Sequence, residues 1–184
     1  AAPAINLVAG NDIINAAETG VAITGTAEAN ATVNLTLGGN VRTVAVNGAG
    51  VWTYTLVAGD IAAMAQGAET LSATATDAAG NVSAASTRAI TVDTLAPAAP
   101  AINLVAGNDI INAAETGVAI TGTAEANSTV NLTVGAGNVR TVTTSGAGTW
   151  TYTLVGADIT AMAQGAETLS ATATDAAGNV SAAG

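Results

Sequence analysis

The side chains able to do chemistry in this sequence are almost all carboxylates. They are Asp12, Glu18, Glu28, Asp60, Glu69, Asp77 and Asp93, then Asp109, Glu115, Glu125, Asp158, Glu167 and Asp175. Against these 13 acids stand three arginines, Arg42, Arg88 and Arg140, and the formal charge is −10. The chain has no Lys, His, Cys or Phe. Without imidazole or thiol there is no His- or Cys-based catalysis, no zinc site and no disulfide. Three arginines cannot neutralise a run of phosphates, which argues against nucleic acid as a partner. Two chemistries remain open to carboxylates. One is a hard cation held through oxygen. The other is glycoside hydrolysis by a carboxyl pair about 5–10 Å apart, in a cleft with sugar-stacking walls. Nothing in the pattern below supplies such walls, and no enzymatic activity is expected.

The elements that position these acids are organised by a repeat. Ala4 to Asn30 recurs letter for letter as Ala101 to Asn127, and Ala63 to Ala85 recurs as Ala161 to Ala183. The offset grows from 97 to 98 through one inserted residue near Gly135 to Gly137. A period this long exceeds the roughly 20–50 residues of solenoid repeats and matches a small independent domain. The reading is two tandem domains, residues 1–95 and 101–184. They are joined by the linker Ala96-Pro97-Ala98-Ala99-Pro100, whose prolines favour an extended, stiff connection. Substitutions between the copies fall between positions 31 and 62 of the first, which suggests a mid-domain surface tolerant of change. Copy one continues past Ala85 with Ser86 to Asp93, whereas copy two has only Gly184 after Ala183. The second domain is therefore expected to lack most of its last strand.

Period-two alternation rich in Val, Ile and Thr marks the strands. They are Ile5 to Val8, Val21 to Thr26, Thr32 to Leu37, Val41 to Val46, Val51 to Val57, Glu69 to Thr76 and Arg88 to Val92. Turns rich in Gly and Asn separate them, as in Asn47-Gly48-Ala49-Gly50. About seven short strands with such turn signals predict an all-β, immunoglobulin-like antiparallel sandwich in each copy. Asp60 to Gly67 is the exception, predicted as a short helical turn with Asp60 as its cap. Trp52 and Leu71 are the expected core anchors. No stretch approaches the roughly 20 apolar residues of a membrane span, and AAPAINLVAG lacks the basic start of a secretory signal.

Taken in order, TATDAAGNVSAAS, ITVDTLAPAAP, NDIINAAE, GTAEAN and a Gly-x-Trp strand resemble the bacterial immunoglobulin-like repeats of giant surface adhesins. Those are the biofilm-associated and RTX-type adhesins exported by type I secretion. The resemblance implies an extender role, in which tandem modules hold an adhesive tip away from the cell and calcium between modules stiffens the rod. It also implies an extracellular place on a bacterial surface, with neighbouring repeats as the partners and a monomeric chain.

In such a sandwich, the loop Ala9 to Gly20 lies where the chain leaves the domain, while Ala27 to Ala31 and Asp77 to Asn81 lie where it arrives. Asp12, Glu18 and Asp93 would then face Glu125 and Asp175 of the next module, and crowded acids repel unless a cation joins them. Calcium, with six to eight oxygen ligands, suits that set better than magnesium. The expected metal ligands are Asp12, Glu18, Asp77, Asp93, Asp109, Glu115, Glu125 and Asp175. The plainer alternatives are solvated loop charges at Asp12 and Glu18, and a turn-forming role for Asp77. Asp60 and Glu69 are assigned to a cap and to the surface. Alternating Ala and Thr leave a second function conceivable, a carbohydrate- or ice-binding face, although Trp52 and Tyr54 look committed to the core.

Overall fold

The computed structural model describes residues 1–135 and 137–184 and separates into two compact units, Ala1–Leu95 and Ala96–Gly184. Ala136, the residue inserted in the second copy, lies outside the described residues. In unit one the alternating pattern produces a strand at each of the seven places it was read, although of Ile5 to Val8 only Ile5 is in a strand. Unit one runs β1 (Ala4–Ile5), β2 (Ile13–Ile14), β3 (Ala22–Thr26), β4 (Thr32–Leu37), β5 (Asn40–Ala45) and β6 (Val51–Thr55). It continues through α1 (Ala58–Ala63), β7 (Gly67–Thr76) and β8 (Ser86–Val92).

One sheet has the order β1-β3-β6 and the other β2-β8-β7-β4-β5. All neighbours are antiparallel except β2 and β8, which run parallel with Ile13 opposite Thr91 and Ile14 opposite Val92. Alternate residues of both sheets meet in one core that includes Ile23, Val33, Leu35, Trp52, Leu71 and Ile90. This is the predicted immunoglobulin-like sandwich. Trp52 and Leu71 are each 1% exposed, as anchors of a core otherwise built from Val, Leu, Ile and Ala. The strand β2 was read as part of a loop, because two residues carry no period; its partner β8 makes it a strand.

Unit two repeats the plan with β9 (Ala101–Ile102), β10 (Ala119–Thr123), β11 (Thr129–Val134), β12 (Asn138–Thr143), β13 (Thr149–Thr153), α2 (Gly156–Ala161) and β14 (Ser170–Thr174). Its sheets are β9-β10-β13 and β12-β11-β14. Gly184 exchanges two backbone hydrogen bonds with Ala171, the place that Ser86 takes opposite Ala73 in unit one.

Two details correct the sequence reading. The helix begins at Ala58, not Asp60, and ends at Ala63, while Gly67 starts β7 rather than stopping the helix. The window from 31 to 62 is not a tolerant surface throughout. It contains buried Ala31 and Val46, whose counterparts Ser128 and Thr144 are buried as well.

The tightest packing occurs where β1, β3 and β6 cross. Gly25 pairs with Trp52, and a Cβ at Gly25 would stand 2.0 Å from the Ala4 carbonyl oxygen and 2.4 Å from the Trp52 ring. Gly122 meets Ala101 and Trp150 at the same distances. A rotamer change cannot relieve contact with a backbone oxygen, so the strand itself must shift. Gly25→Ala is therefore expected to cost about 1–3 kcal/mol, as overpacking does. Urea unfolding followed by tryptophan fluorescence should show a lower midpoint for the Trp52 transition; an unchanged midpoint would show that β1 yields without cost.

Candidate cation-binding carboxylates

Two aspartates are deeply buried, and neither is a surface charge. Asp60 and Asp158 are each 0% exposed. The Arg42 Nε donates to Asp60 Oδ1 at 2.8 Å, the Tyr54 hydroxyl donates a short bond to Oδ2, and the Val57 amide donates at 3.3 Å. Arg140, Tyr152 and Val155 repeat the arrangement around Asp158. Val57 is the cap residue, and Asp60 sits in the third position of α1 and reaches back to the Val57 amide, so Asp60 closes the first turn from inside the helix rather than preceding it. The available signal was pair identity. Arg42, Tyr54 and Asp60 are retained in copy two although all three fall inside the window where the copies differ.

Asp12 is also paired, which overturns its reading as an uncompensated carboxylate. Arg88 of β8 donates from Nε to Asp12 Oδ1 at 2.6 Å and from Nη2 to Oδ2, and it reaches the Ile5 carbonyl with Nη1 at 3.2 Å. A side chain 76 residues away in sequence supplies the counter-charge. This contact depends on β8 lying beside β2, which sequence spacing did not show. Arg42, Arg88 and Arg140 are thus bound to Asp60, Asp12 and Asp158, and three guanidiniums stand against the chain's 13 carboxylates.

Most of the other carboxylates are hydrogen-bonded to their own loops. Glu18 Oε2 accepts the Asn15 amide at 3.1 Å, and Glu115 accepts that of Asn112 at 2.7 Å. Asp77 accepts from the Ala79 and Asn81 amides and the Asn81 side chain, forming a closed turn; Asp175 does the same with Ala177 and Asn179. Asp93 accepts the Leu95 amide, and Asp109 the Val105 amide. Glu69, which lies inside β7 rather than at its start, accepts the Ala65 amide, and Glu167 that of Ala163. The turn role proposed for Asp77 is thus present.

Strand pairing gathers the acids at the two ends of each sandwich. Because Ile14 lies opposite Val92 and the Asp93 amide donates to the Ile14 carbonyl at 2.9 Å, Asp93 stands beside Asn15, whose amide donates to Glu18. At the other end Thr32 pairs with Thr76, which brings the Glu28 turn to the Asp77 turn. Glu28, Asp77 and Asn81 line one shallow pocket there. In unit two the pairing of Thr129 with Thr174 brings Glu125 to the same end as Asp175. Among the described residues, no three acidic side chains within either unit lie close enough together to form a metal site by themselves.

The aromatic side chains are engaged elsewhere. Trp52 and Trp150 are buried, and the Tyr54 and Tyr152 hydroxyls are bound to Asp60 and Asp158. No helix is long and apolar enough to cross a membrane among the described residues.

A family model described as a bacterial Ig-like domain matches residues 7–94 and again 104–184. No curated protein matches the chain. Among solved structures, the chain is 32% identical over its whole length to 47% of a Ca2+-stabilised adhesin that helps an Antarctic bacterium reach out and bind ice, with a TM-score of 0.57. It is 30% identical over 97% of its length to 60% of a chain from a 1.5-MDa bacterial ice-binding adhesin, with a TM-score of 0.53. The chain therefore spans less than two thirds of either structure. Fibronectin(III)-like modules of CbhA from Clostridium thermocellum match 99% of the chain and 90% of their own at 16% identity and a TM-score of 0.50, a likeness of fold alone.

The buried aspartates make stability sensitive to acid. Burial works to raise the Asp60 pKa, but hydrogen bonds from Tyr54 and Arg42 outweigh it and hold the carboxyl below its ordinary 3.8; Asp158 is held down in the same way. The Arg88 hydrogen bond lowers Asp12, and the Asn81 side chain lowers Asp77. A carboxyl whose folded pKa lies below its unfolded one adds stability above the unfolded value, and that stability is lost as pH falls through the folded value. The fold should hold near pH 5 and weaken below about pH 4. Tyr54→Phe removes one of the lowering bonds. It is expected to cost about 1.5–3 kcal/mol and to move the acid transition to higher pH. Circular dichroism across pH 2–6 checks this, and an unmoved transition would assign the Asp60 charge to Arg42 alone.

Proposed function

Because the chain belongs to the bacterial Ig-like domain family, we propose that it is an extender segment of a bacterial surface adhesin. In this reading the two sandwiches are links in a tandem series that holds an adhesive part of the molecule out from the cell, for adhesion and biofilm formation. The protein works outside the cell as a single chain whose partners are its own neighbouring modules, and it catalyses no reaction. The observation that carries the reading is the tandem match itself, two successive modules of one family with 32% identity to a Ca2+-stabilised adhesin.

Calcium is the proposed ligand, taken up where one module follows the next. The support is chemical. Three guanidiniums face 13 carboxylates, and strand pairing sorts many of the acids to the ends of the sandwiches. A calcium ion needs six to eight oxygens at about 2.3–2.6 Å, more than the acids of one end of one unit supply, so ligands from two modules complete the shell. Glu18 and Asp93 serve from the end where the chain leaves a module, and Glu125 and Asp175 from the end where it arrives. Asp77 serves a preceding module, and Asp109 and Glu115 a following one. Asp12 joins only by releasing Arg88. An ion that binds the straight arrangement better than bent ones shifts the population toward the straight form.

For extracellular modules a Kd of roughly 10⁻⁴ to 10⁻³ M is expected. At the tighter limit, 10 mM calcium is about 100 Kd and stabilises by about 2.7 kcal/mol. The melting temperature in 10 mM calcium should exceed that in EDTA by several degrees, and small-angle scattering should show a longer particle. Asp93→Asn combined with Asp175→Asn should remove both differences, while Glu69→Gln should leave them. Identical melting and scattering with calcium and EDTA would overturn the metal assignment.

A further inference from the structure

Four turns of the chain share one set of hydrogen bonds. In Asp77-Ala78-Ala79-Gly80-Asn81, Asp77 Oδ1 accepts the Ala79 and Asn81 amides at 2.9 and 2.8 Å. The Asp77 carbonyl accepts the Gly80 amide, and the Asp77 amide donates to the Asn81 carbonyl. The Asp175 turn repeats these bonds. In Asn47-Gly48-Ala49-Gly50-Val51 the set is the same. Asn47 Oδ1 accepts the Ala49 and Val51 amides at 2.9 and 3.0 Å, the Asn47 carbonyl accepts the Gly50 amide, and the Asn47 amide donates to the Val51 carbonyl. Gly50 and Gly80 both take positive φ, at 78° and 90°. In unit two Ser145 holds the place of Asn47 with its hydroxyl. The head of this turn is thus Asp, Asp, Asn or Ser, and both amides that close the Asn47 turn fall on the oxygen that an aspartate would keep.

The residue after Asn47 gives this turn a reactivity the others lack. Asn47 is the only asparagine of the chain followed by glycine, and Asn47, Gly48 and Ala49 are all exposed. A main-chain nitrogen can attack the side-chain amide carbon of the residue before it and close a small ring. A side chain on the attacking residue hinders that approach, and glycine has none. Among the described residues the Gly48 N–H donates no hydrogen bond, so closing the ring through its nitrogen sacrifices none. Negative charge develops on Asn47 Oδ1 as the nitrogen adds, and the Ala49 and Val51 amides face that oxygen before the reaction begins.

We propose that Asn47 is a self-modification site, at which the Asn47-Gly48 pair loses ammonia and unit one gains a carboxylate. The Gly48 nitrogen bonds to Asn47 Cγ and gives up its proton; the Cγ–Nδ2 bond breaks, and Nδ2 leaves with that proton as ammonia. The product is a cyclic imide, which water opens. Cleavage between Cγ and the Gly48 nitrogen leaves an aspartate, and cleavage at the main-chain carbonyl leaves an isoaspartate whose backbone runs through Cβ and Cγ. Either product carries one new carboxylate, and water is the only co-reactant. The charge arrives at a defined place. The Ala27 amide donates to the Gly50 carbonyl and the Val46 amide to the Ala31 carbonyl, both at 2.9 Å, so the Asn47 turn lies beside the Glu28 turn, at the end of unit one that holds Asp77. Ser145 has no amide to lose, so unit two does not follow. The chemistry needs neither calcium nor a neighbouring module, so its fate and that of the metal proposal are separable.

The test keeps the folded 184-residue protein in warm, mildly alkaline buffer for weeks and follows it by peptide mapping in a mass spectrometer. The reading is the mass gain of an amide turned into an acid, with isoaspartyl methyltransferase counting the isoaspartate fraction. Asn47 should convert ahead of every other asparagine. Gly48→Ala should keep the turn, because a Cβ there meets nothing within 4 Å and Ala78 fills the same position of the Asp77 turn. It should slow conversion at least about tenfold, or about 1.4 kcal/mol on the barrier. Asn47→Asp should melt no lower than the parent, since both amides keep their acceptor. The ranking of Asn47 among the asparagines is read in the unaltered protein, so it stands even if a variant fails to fold. Conversion of Asn47 no faster than of the others, or an equal rate in Gly48→Ala, overturns the proposal. Conversion of a synthetic peptide of residues 44–52 while the folded protein stays intact also overturns it, and assigns the turn to protecting the amide. A lower melting temperature for Asn47→Asp overturns the claim that the turn is suited to a carboxylate.

Discussion

The loops of this protein are closed by carboxylates that accept main-chain amides from within the same few residues. Asp12 takes the Val8 amide, Glu18 that of Asn15, Asp60 that of Val57, Glu69 that of Ala65, Asp77 those of Ala79 and Asn81, and Asp93 that of Leu95. Unit two repeats the set as far as Asp175. These loops are built from Ala, Gly and Asn and bury little apolar surface, so hydrogen bonds to charge give them their shape. The arrangement tolerates some strain: Asp12 and Asp109 both have positive φ, at 59° and 56°. It also leaves the chain strongly negative, because an amide satisfies an oxygen without cancelling its charge. Loop shape and surplus charge thus have one origin, and a divalent cation at the module ends would meet oxygens already held in place.

Much of this was legible from the residues. The period-two runs located the long strands, and the turn residues separated them at the right places. The letter-for-letter repeat divided the acids into two equivalent sets. What escaped has a common cause in long-range pairing. The strand β2 is two residues of Ile and carries no period; it becomes a strand because β8 lies alongside. Arg88 and Asp12 are far apart in sequence and meet through the same pairing. Asp60 looked like an ordinary helix cap, since nothing local announces that a capping carboxylate will be buried under Arg42 and Tyr54.

The two copies give an internal control on that conclusion. Glu69-Thr70-Leu71 and Glu167-Thr168-Leu169 are the same residues in the same order, yet only the first are strand. Propensity and pattern are held constant, and the neighbouring strand is the variable. Residues such as these are extended because a partner satisfies their amides and carbonyls and covers every second side chain. Reading strands from sequence works where the partner is present and fails where it is not, with no change in the sequence itself.

The substitutions between the copies bear on the site through a different route. Ala31 and Val46 are buried against each other's backbone in unit one, where the Val46 amide donates to the Ala31 carbonyl at 2.9 Å. Their counterparts Ser128 and Thr144 keep that bond at 3.0 Å and add a hydroxyl pair 3.3 Å apart. Each hydroxyl can instead donate to the Glu125 carbonyl, at 2.7 Å from Ser128 and 2.6 Å from Thr144. Both buried hydroxyls are therefore satisfied by the turn they lie under. The exchange adds a second and a third hydrogen bond on the backbone of Glu125, beside the amide of Ser128 at 3.2 Å. The turn that carries Glu125 thus has hydrogen bonds on its carbonyl that alanine and valine cannot supply at the Glu28 turn of unit one, from changes that lie beneath the surface.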